Sequence, residues 1–296
     1  MPRIALVTAR AARGTDHDMP ALLTALRTLG ADAVETDWDD VTVDWASFDL
    51  ALLRSPWDYV ARYDEFTAWA ARVAVATNLL NPLDVVRWNT DKHYLQVLAD
   101  AGVATVPSHF VEPGERPDHA LQTFLRAYPE SAELVIKPAI GAGSRDARRH
   151  ARNDVAASHA HLADLLDSGR SAVLQPYLER VDELGETSLL FFDGTFSHAI
   201  RKGPLLHRGA AATTELYATE DIDARMASAD EHALAIHALA AIPFRGSLLY
   251  ARVDMLRADD GSPRLLELEL AEPSLFFAQS AGSAERFARA VLARCD

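Results

Sequence analysis

Between residues 250 and 273 the chain reads Tyr-Ala-Arg-Val-Asp-Met-Leu-Arg-Ala-Asp-Asp-Gly-Ser-Pro-Arg-Leu-Leu-Glu-Leu-Glu-Leu-Ala-Glu-Pro. Asp254, Glu267 and Glu269 alternate there with Val253, Met255, Leu266, Leu268 and Leu270. Two apolar runs, Ser247 to Leu256 and Arg264 to Leu270, flank Asp-Asp-Gly-Ser-Pro, which predicts two antiparallel strands and a tight turn. Side chains change face at every residue of a strand, so Arg252 shares a face with Asp254, and Glu267 with Glu269. With both faces on one side, three carboxylates and a guanidinium converge. Anions among leucines are costly to bury without a cation. Hard oxygen ligands with open positions suit Mg²⁺, which fills its shell with water and substrate phosphates. A hairpin with one wet, charged face has the same alternation, so these residues alone leave both readings open.

Other chemistry-bearing residues lie upstream. Leu134 to Pro138 is a β-rich run carrying Lys137, followed by the loop Ala-Ile-Gly-Ala-Gly-Ser from Ala139 to Ser144. Such a loop lets backbone N–H groups approach phosphate oxygens, although the lysine precedes it and the spacing is not that of a Walker A loop. Thr90 is expected to cap a helix running to Asp100, with Lys92 in its first turn, where the helix dipole favours a bound anion beside it or leaves it solvated. Arg54-Ser55-Pro56-Trp57-Asp58-Tyr59 is expected to be a loop after a strand. Its Arg54, Asp58 and Tyr59 suit a small zwitterion, the arginine taking a carboxylate; the alternative is an Arg–Asp pair and packed aromatics. His232 and His237 are five apart, off the spacing that puts two ligands on one helical face.

These residues need elements to hold them. Ile4 to Thr8, a helix from Pro20 to about Leu29 stopped by Gly30, then Ala33 to Thr36 and Leu50 to Leu53 read as a parallel α/β unit. Functional residues of such a sheet gather at its strand carboxyl ends, which here carry residues 13–18 and 54–59. Thr105 to Val173 reads as a separate α+β unit, and Gln175-Pro176-Tyr177-Leu178 as a hinge with an apolar wall. Leu189 to Phe192 and Phe196 to Arg201 form a hairpin across Asp193-Gly194. A chain of 296 residues, 49% hydrophobic, can bury a sizeable core. Its net charge of −14 argues against nucleic-acid and acidic-membrane partners. One cysteine, Cys295, excludes an intrachain disulfide framework, no stretch has the roughly 18 apolar residues of a membrane span, and the start shows no signal-peptide pattern, so a cytoplasmic location is expected.

In order along the chain stand Asn89-x-x-Lys92, Val-Ile-Lys-Pro with its glycine loop, Gln-Pro-Tyr-Leu, Gly-Glu-x-Ser at 185–188, a strand ending in Arg201, and Arg-x-Asp followed by Glu-x-Glu. That succession resembles the ATP-grasp superfamily over most of the chain. The resemblance implies a mixed α/β fold: an N-terminal α/β substrate domain (1–88), a central domain with a small mobile lid (89–174), and a C-terminal antiparallel-sheet domain (175–296) with the metal site. It implies that Lys92, Lys137, Gly141, Gly143 and Ser144 hold ATP phosphates. Gln175, Pro176, Tyr177 and Leu178 would line the adenine and Glu186 the ribose. Arg252 and Arg201 would be catalytic, and Asp254, Glu267 and Glu269 would bind Mg²⁺, two ions with Mn²⁺ as a substitute. Glu269 departs from the family's usual Asn, with Pro273 in the expected place.

The chemistry implied is ATP-dependent activation of a carboxylate as an acyl phosphate, which a nitrogen then attacks. The Arg-Ser-Pro-Trp-Asp-Tyr segment and the Leu-Glu-Leu-Glu ending resemble the cyclo-ligase branch that closes O-ureido-D-serine to D-cycloserine, with Arg54 or Arg201 on the substrate. An intermolecular amino-acid ligase of the D-Ala–D-Ala or RimK type, and a nucleotide-binding regulator without turnover, remain alternatives. The partner expected is a small amino-acid-like molecule; oligomeric state is not written in the sequence, which leaves a homodimer open.

Overall fold

The computed structural model describes residues 1–207, 209, 221–246 and 248–295. Ser247, the expected start of the first apolar run, lies outside the described residues. The chain opens with β1 (Arg3–Thr8), α1 (Met19–Thr28), β2 (Asp32–Asp37), β3 (Leu50–Ser55), α2 (Tyr63–Ala76) and β4 (Asn78–Leu80), which make a parallel sheet in the order β2-β1-β3-β4. Strands covered on both faces need unbroken apolar runs, hence Ile-Ala-Leu-Val in β1 and Leu-Ala-Leu-Leu in β3. Gly30, at φ 91°, ends α1 where a side chain would be strained.

Two short helices, α3 (Leu83–Asn89) and α4 (Tyr94–Asp100), lead into a small antiparallel unit. Its elements are β5 (His109–Val111), α5 (Pro117–Ala127), β6 (Glu133–Pro138), β7 (Arg148–Ala151), α6 (Val155–Asp167) and β8 (Ala172–Pro176), with sheet order β5-β8-β6-β7. Leu121, Phe124, Leu162 and Leu165 of the helices close one face of that sheet against Leu134, Ile136 and Leu174. Thereafter come α7 (Val181–Leu184), β9 (Glu186–Phe192), β10 (Thr195–Lys202), β11 (Ile222–Arg225), α8 (Ala229–Ala240), β12 (Tyr250–Arg257), β13 (Pro263–Glu269) and α9 (Ser283–Leu292). The strands form an antiparallel sheet ordered β11-β10-β9-β12-β13. Phe287 and Val291 of α9 return to the core of the first sheet beside Leu22 and Leu26 of α1.

Being the sheet's edge, β13 pairs outward by backbone, among the described residues, only at Leu265, with Ala104 and Val106, and side chains from the preceding segment satisfy groups further along. Asn89 donates through Nδ2 to the Leu268 carbonyl (2.6 Å) and accepts at Oδ1 from the Leu270 N–H (2.6 Å). The Leu268 N–H donates to the Tyr94 hydroxyl (2.8 Å), and Asn81 donates to the carbonyls of Tyr250 (2.9 Å) and Leu270 (2.7 Å). This arrangement corrects the expected helix start. Thr90 closes α3 by donating to the Val86 carbonyl (2.9 Å), and Lys92 sits in the turn before α4, its N–H on the Ala139 carbonyl (3.0 Å). The threonine hydroxyl reaches back one turn as readily as forward, and the chain must bend here to bring Asn89 onto β13.

In the central unit His150 Nε2 meets His161 Nδ1 at 3.0 Å, and His161 Nε2 meets the Asp146 carbonyl at 3.1 Å. That chain needs a neutral His161: it donates from Nε2, so its Nδ1 accepts from His150. Burial lowers both imidazoles, with Arg148 adding to it, and carries His161 down to about 4.

Two outcomes follow from this packing. Asn89→Ala, which strands a buried N–H and a buried carbonyl, is expected to destabilise the chain by about 2–4 kcal/mol in urea unfolding; Asn89→Asp should not restore it, since a carboxylate cannot donate to Leu268. Because the unfolded chain protonates His161 near its ordinary 6.5 and the folded chain only near 4, that contribution is complete above 6.5 and is lost as pH falls toward 4. The urea midpoint should therefore drop between pH 7 and pH 5 (about these values), and an equal drop in His161→Phe would rule the pair out as its source.

Candidate active site

A cavity of about 760 Å³ lies between the central antiparallel sheet and the C-terminal one. Its floor is the hairpin of β12 and β13. Arg252 pairs across the ladder with Glu269 and Asp254 with Glu267, and the register shifts immediately beyond Asp254. Ahead of that bulge all four side chains share the face that lines the cavity.

Each carboxylate there is met by a cation. Arg252 takes Asp254 with Nε on Oδ1 (2.9 Å) and Nη2 on Oδ2 (2.9 Å), and the same Nη2 contacts Glu269. Lys137 Nζ lies 2.6 Å from Glu267 Oε1, and Lys92 Nζ lies 3.7 Å from its Oε2. Lys202 bridges Asp254 (3.0 Å) and Glu186. Against the upward pull of burial, Arg252 and Lys202 hold Asp254 low, and Lys137 with Lys92 holds Glu267 down to about 2. Burial wins at Glu269, which is pushed up with help from the neighbouring Asp254 and Glu267 carboxylates. Burial likewise lowers the Lys137 ammonium.

The walls come from the central unit. Lys137 sits on β6, and Gly141, Gly143 and Ser144 follow in the loop to β7. A Cβ on Gly141 would meet the Pro138 ring at 3.0 Å, while Gly143 and Ser144 take φ of 62° and 59°. The Gly141 carbonyl accepts from Lys92 Nζ at 2.8 Å, so lysine and loop are tied together. Gln175, Pro176, Tyr177 and Leu178 line an apolar slot with Val106, Val135, Leu256 and Leu266. The Arg149 guanidinium covers the Tyr177 ring at 3.6 Å from its centroid.

Not every expected residue arrives. Arg201 is corrected: it lies on the opposite face of β10, its Nε on the Leu184 carbonyl (2.9 Å), and it does not line the cavity. Strand alternation instead turns its neighbour Lys202 inward, opposite Glu186, and counting faces from Asp254 across β9 would have found it. Arg54 is also corrected. It belongs to β3 itself, is 0% exposed, and stands 3.9 and 3.8 Å from Asp16 and Asp18 beneath the cavity. Asp58 turns outward to accept from Trp38 Nε1 (2.8 Å) and Arg62 (3.3 Å). Tyr59 does line the cavity, facing Glu272, whose carboxyl burial pushes up; Trp57 donates from Nε1 to the Glu272 carbonyl (3.1 Å). Glu272 was not singled out from sequence, and its place next to Pro273 was the only signal for it.

Among the described residues no three acidic or histidine side chains already surround one point as metal ligands do. Lysine and arginine close the three carboxylates individually. The donor set nevertheless fits a hard divalent cation: carboxylate oxygens on one strand face, with lysines that a phosphate chain would draw away. No described helix is long and apolar enough to cross a membrane.

Residues 4–81 match a family model described as the N-terminal domain of D-cycloserine synthetase DcsG. The cycloserine biosynthesis protein DcsG of Streptomyces lavendulae is 44% identical over 295 residues, 98% of each chain. A crystal structure of D-cycloserine synthetase DcsG superposes with a TM-score of 0.94 at 42% identity, over 99% of this chain and all of the other. The D-alanine–D-alanine ligase of Bacillus anthracis shares the fold at a TM-score of 0.72 and 16% identity, over 100% of this chain and 97% of the other. The chain belongs to the DcsG family and has the ATP-grasp fold.

Proposed function

We propose that this chain is an ATP-dependent carboxylate–nitrogen ligase that closes O-ureido-D-serine to D-cycloserine through an acyl phosphate. One observation carries the reading: Lys92, Lys137, Lys202 and Arg252 interleave with Glu186, Asp254, Glu267 and Glu269 in a single cavity. Such a cluster is close to neutral. An incoming triphosphate with its counter-cations is close to neutral too, so both sets of charges can exchange partners without leaving one buried and unpaired. Kinship to a cycloserine biosynthesis protein supports D-cycloserine as the product.

In this reading Lys137 and Lys92 release Glu267 and take phosphate oxygens, while the loop at Gly141, Gly143 and Ser144 offers backbone N–H groups. The base lies in the apolar slot of Gln175 to Leu178, with Glu186 at the ribose. Asp254, Glu267 and Glu269 would hold Mg²⁺, which would supply neutralisation of the charge that builds in phosphoryl transfer. Arg252 faces the substrate carboxylate as it becomes the acyl phosphate, and Tyr59 and Glu272 line the amino-acid end. The oxygen-bound ureido nitrogen then attacks the acyl carbonyl and phosphate leaves with the carboxylate oxygen; one water then hydrolyses the carbamoyl group on that nitrogen, which departs as carbon dioxide and ammonia and leaves the ring N–H. Closure of the central unit, residues 89–174, over residues 175–296 keeps water from the acyl phosphate.

Incubation with ATP and O-ureido-D-serine alone should release ADP and give a cyclic product by mass spectrometry. ADP that forms only when a second amino acid is added would instead establish intermolecular ligation, and ATP binding without any ADP would establish a regulator. Lys137→Ala is expected to weaken ATP binding about tenfold, read by calorimetry. Glu267→Gln should leave ATP binding nearly intact and lower turnover by about 10²–10³-fold; equal turnover in that variant removes Glu267 from the metal set.

A further inference from the structure

Asp18 stands at the N-cap of α1, where an aspartate ordinarily accepts from the first backbone N–H groups of its own helix. Its side chain makes no such bond. Instead Oδ2 accepts from the N–H groups of Leu275 (2.6 Å) and Phe276 (3.0 Å), and Oδ1 from that of Phe277 (2.8 Å). Three successive N–H groups converging on one carboxylate form an anion nest, closed by Phe276 in the left-handed region at φ 51° and ψ 48°. A left-handed phenylalanine is strained and persists only where its surroundings over-determine it. Asp18 supplies that determination from the other end of the chain, and it is 6% exposed.

The turn so held touches Arg252 twice. The Ser274 carbonyl accepts from Arg252 Nη1 at 3.2 Å, and the Phe276 ring lies 5.5 Å from the Arg252 guanidinium carbon. Nε and Nη2 of that guanidinium are directed at Asp254 and Glu269. Nη1 is thus oriented by the turn, and the turn by Asp18. Beneath Asp18 the buried Arg54 guanidinium, 3.8 Å from Oδ2, balances its charge at a longer range than a hydrogen bond. Asp18 also lines the cavity, but both its oxygens already accept from the three converging N–H groups, which suits a scaffold for the turn better than a receptor for the substrate ammonium.

We infer that Asp18 is a positioning residue for Arg252, acting through the 274–277 turn so that the N-terminal unit sets the aim of the guanidinium in phosphoryl transfer. This rests on the assignment of Arg252 to the reacting carboxylate made above.

The test is a double-mutant cycle on ADP release with Asp18→Asn, Arg252→Lys and both. Asp18→Asn keeps the shape but offers one acceptor oxygen in place of two; the expected result is a fall in kcat of about 10²-fold, with KM for ATP and for the amino acid each within about twofold, a split that general loss of folded protein would not produce. In the Arg252→Lys background the same substitution should cost less than about twofold, because the group it aims is already altered. Additive losses, a rise in amino-acid KM at constant kcat, or unchanged kcat in Asp18→Asn each overturn the inference. Should Asp18→Asn not fold, Phe276→Gly, which keeps a residue at ease in the left-handed turn and removes only the ring over Arg252, must show the same kcat-only loss or the inference fails. Full activity in Arg252→Lys and Arg252→Ala would show that the assignment of Arg252 itself had failed, whereas loss there with none in Asp18→Asn confines the failure to Asp18.

Discussion

Pairing of buried opposite charges in the central cavity constrains everything around it. Asp254, Glu267 and Glu269 stand on a hairpin otherwise built of Val253, Met255 and Leu268, and an uncompensated carboxylate in such a place costs several kcal/mol. Compensation comes from Arg252 on the hairpin itself and from three separate parts of the chain: Lys92 before α4, Lys137 on β6 and Lys202 on β10. A segment displaced by a few ångströms would leave an ion without its partner. The same requirement that makes the cluster demanding to build makes it responsive, since partners held by charge alone can be exchanged for phosphate and divalent cations.

The rest of the fold can be understood as support for that cluster. An edge strand carries Glu267 and Glu269, and edge strands lack half of their backbone partners. Asn89, Tyr94 and Asn81 provide those partners through side chains, so the strand is held against helices and not against a sixth strand. Asn89 and Lys92 thereby act as a unit, one fixing the acidic strand and the other meeting its carboxylate. From the opposite side Asp18 fixes the turn that receives Arg252. The N-terminal unit, remote in sequence from the slot of Tyr177 and Leu178, thus reaches the Arg252 end of the cavity through a side-chain carboxylate that accepts from backbone N–H groups.

The cavity has two unlike ends. The slot of Val106, Tyr177, Leu256 and Leu266 is apolar, which suits the flat base of the proposed reading. The other end is polar and aromatic, with His17, Trp57, Tyr59, Glu272 and Ser274 drawn from both termini of the chain. In the function proposed above, a division of this kind would keep nucleotide binding on one pair of units and leave substrate choice to another.

Much of this was legible in the residues themselves. Period-two alternation set Asp254, Glu267 and Glu269 on one face, because a strand has only two faces. Glycine at 141 and 143 beside Lys137 marked a tight loop, which packs on the Pro138 ring and turns through a left-handed residue, and unbroken apolar runs marked the parallel strands. What the linear order did not reveal was which of two neighbours faces inward and how deep a strand end lies. Arg201 and Lys202 differ by one position, and the pairing of β10 with β9 alone decides that the lysine enters the cavity. Arg54 was expected at the surface of a loop, but β3 continues through it and buries the guanidinium. Sequence determined the elements and the chemistry available, since both follow from neighbours along the chain; only the packing of distant segments decided which charges meet, because the energy of a buried ion depends on partners that the chain brings from far away.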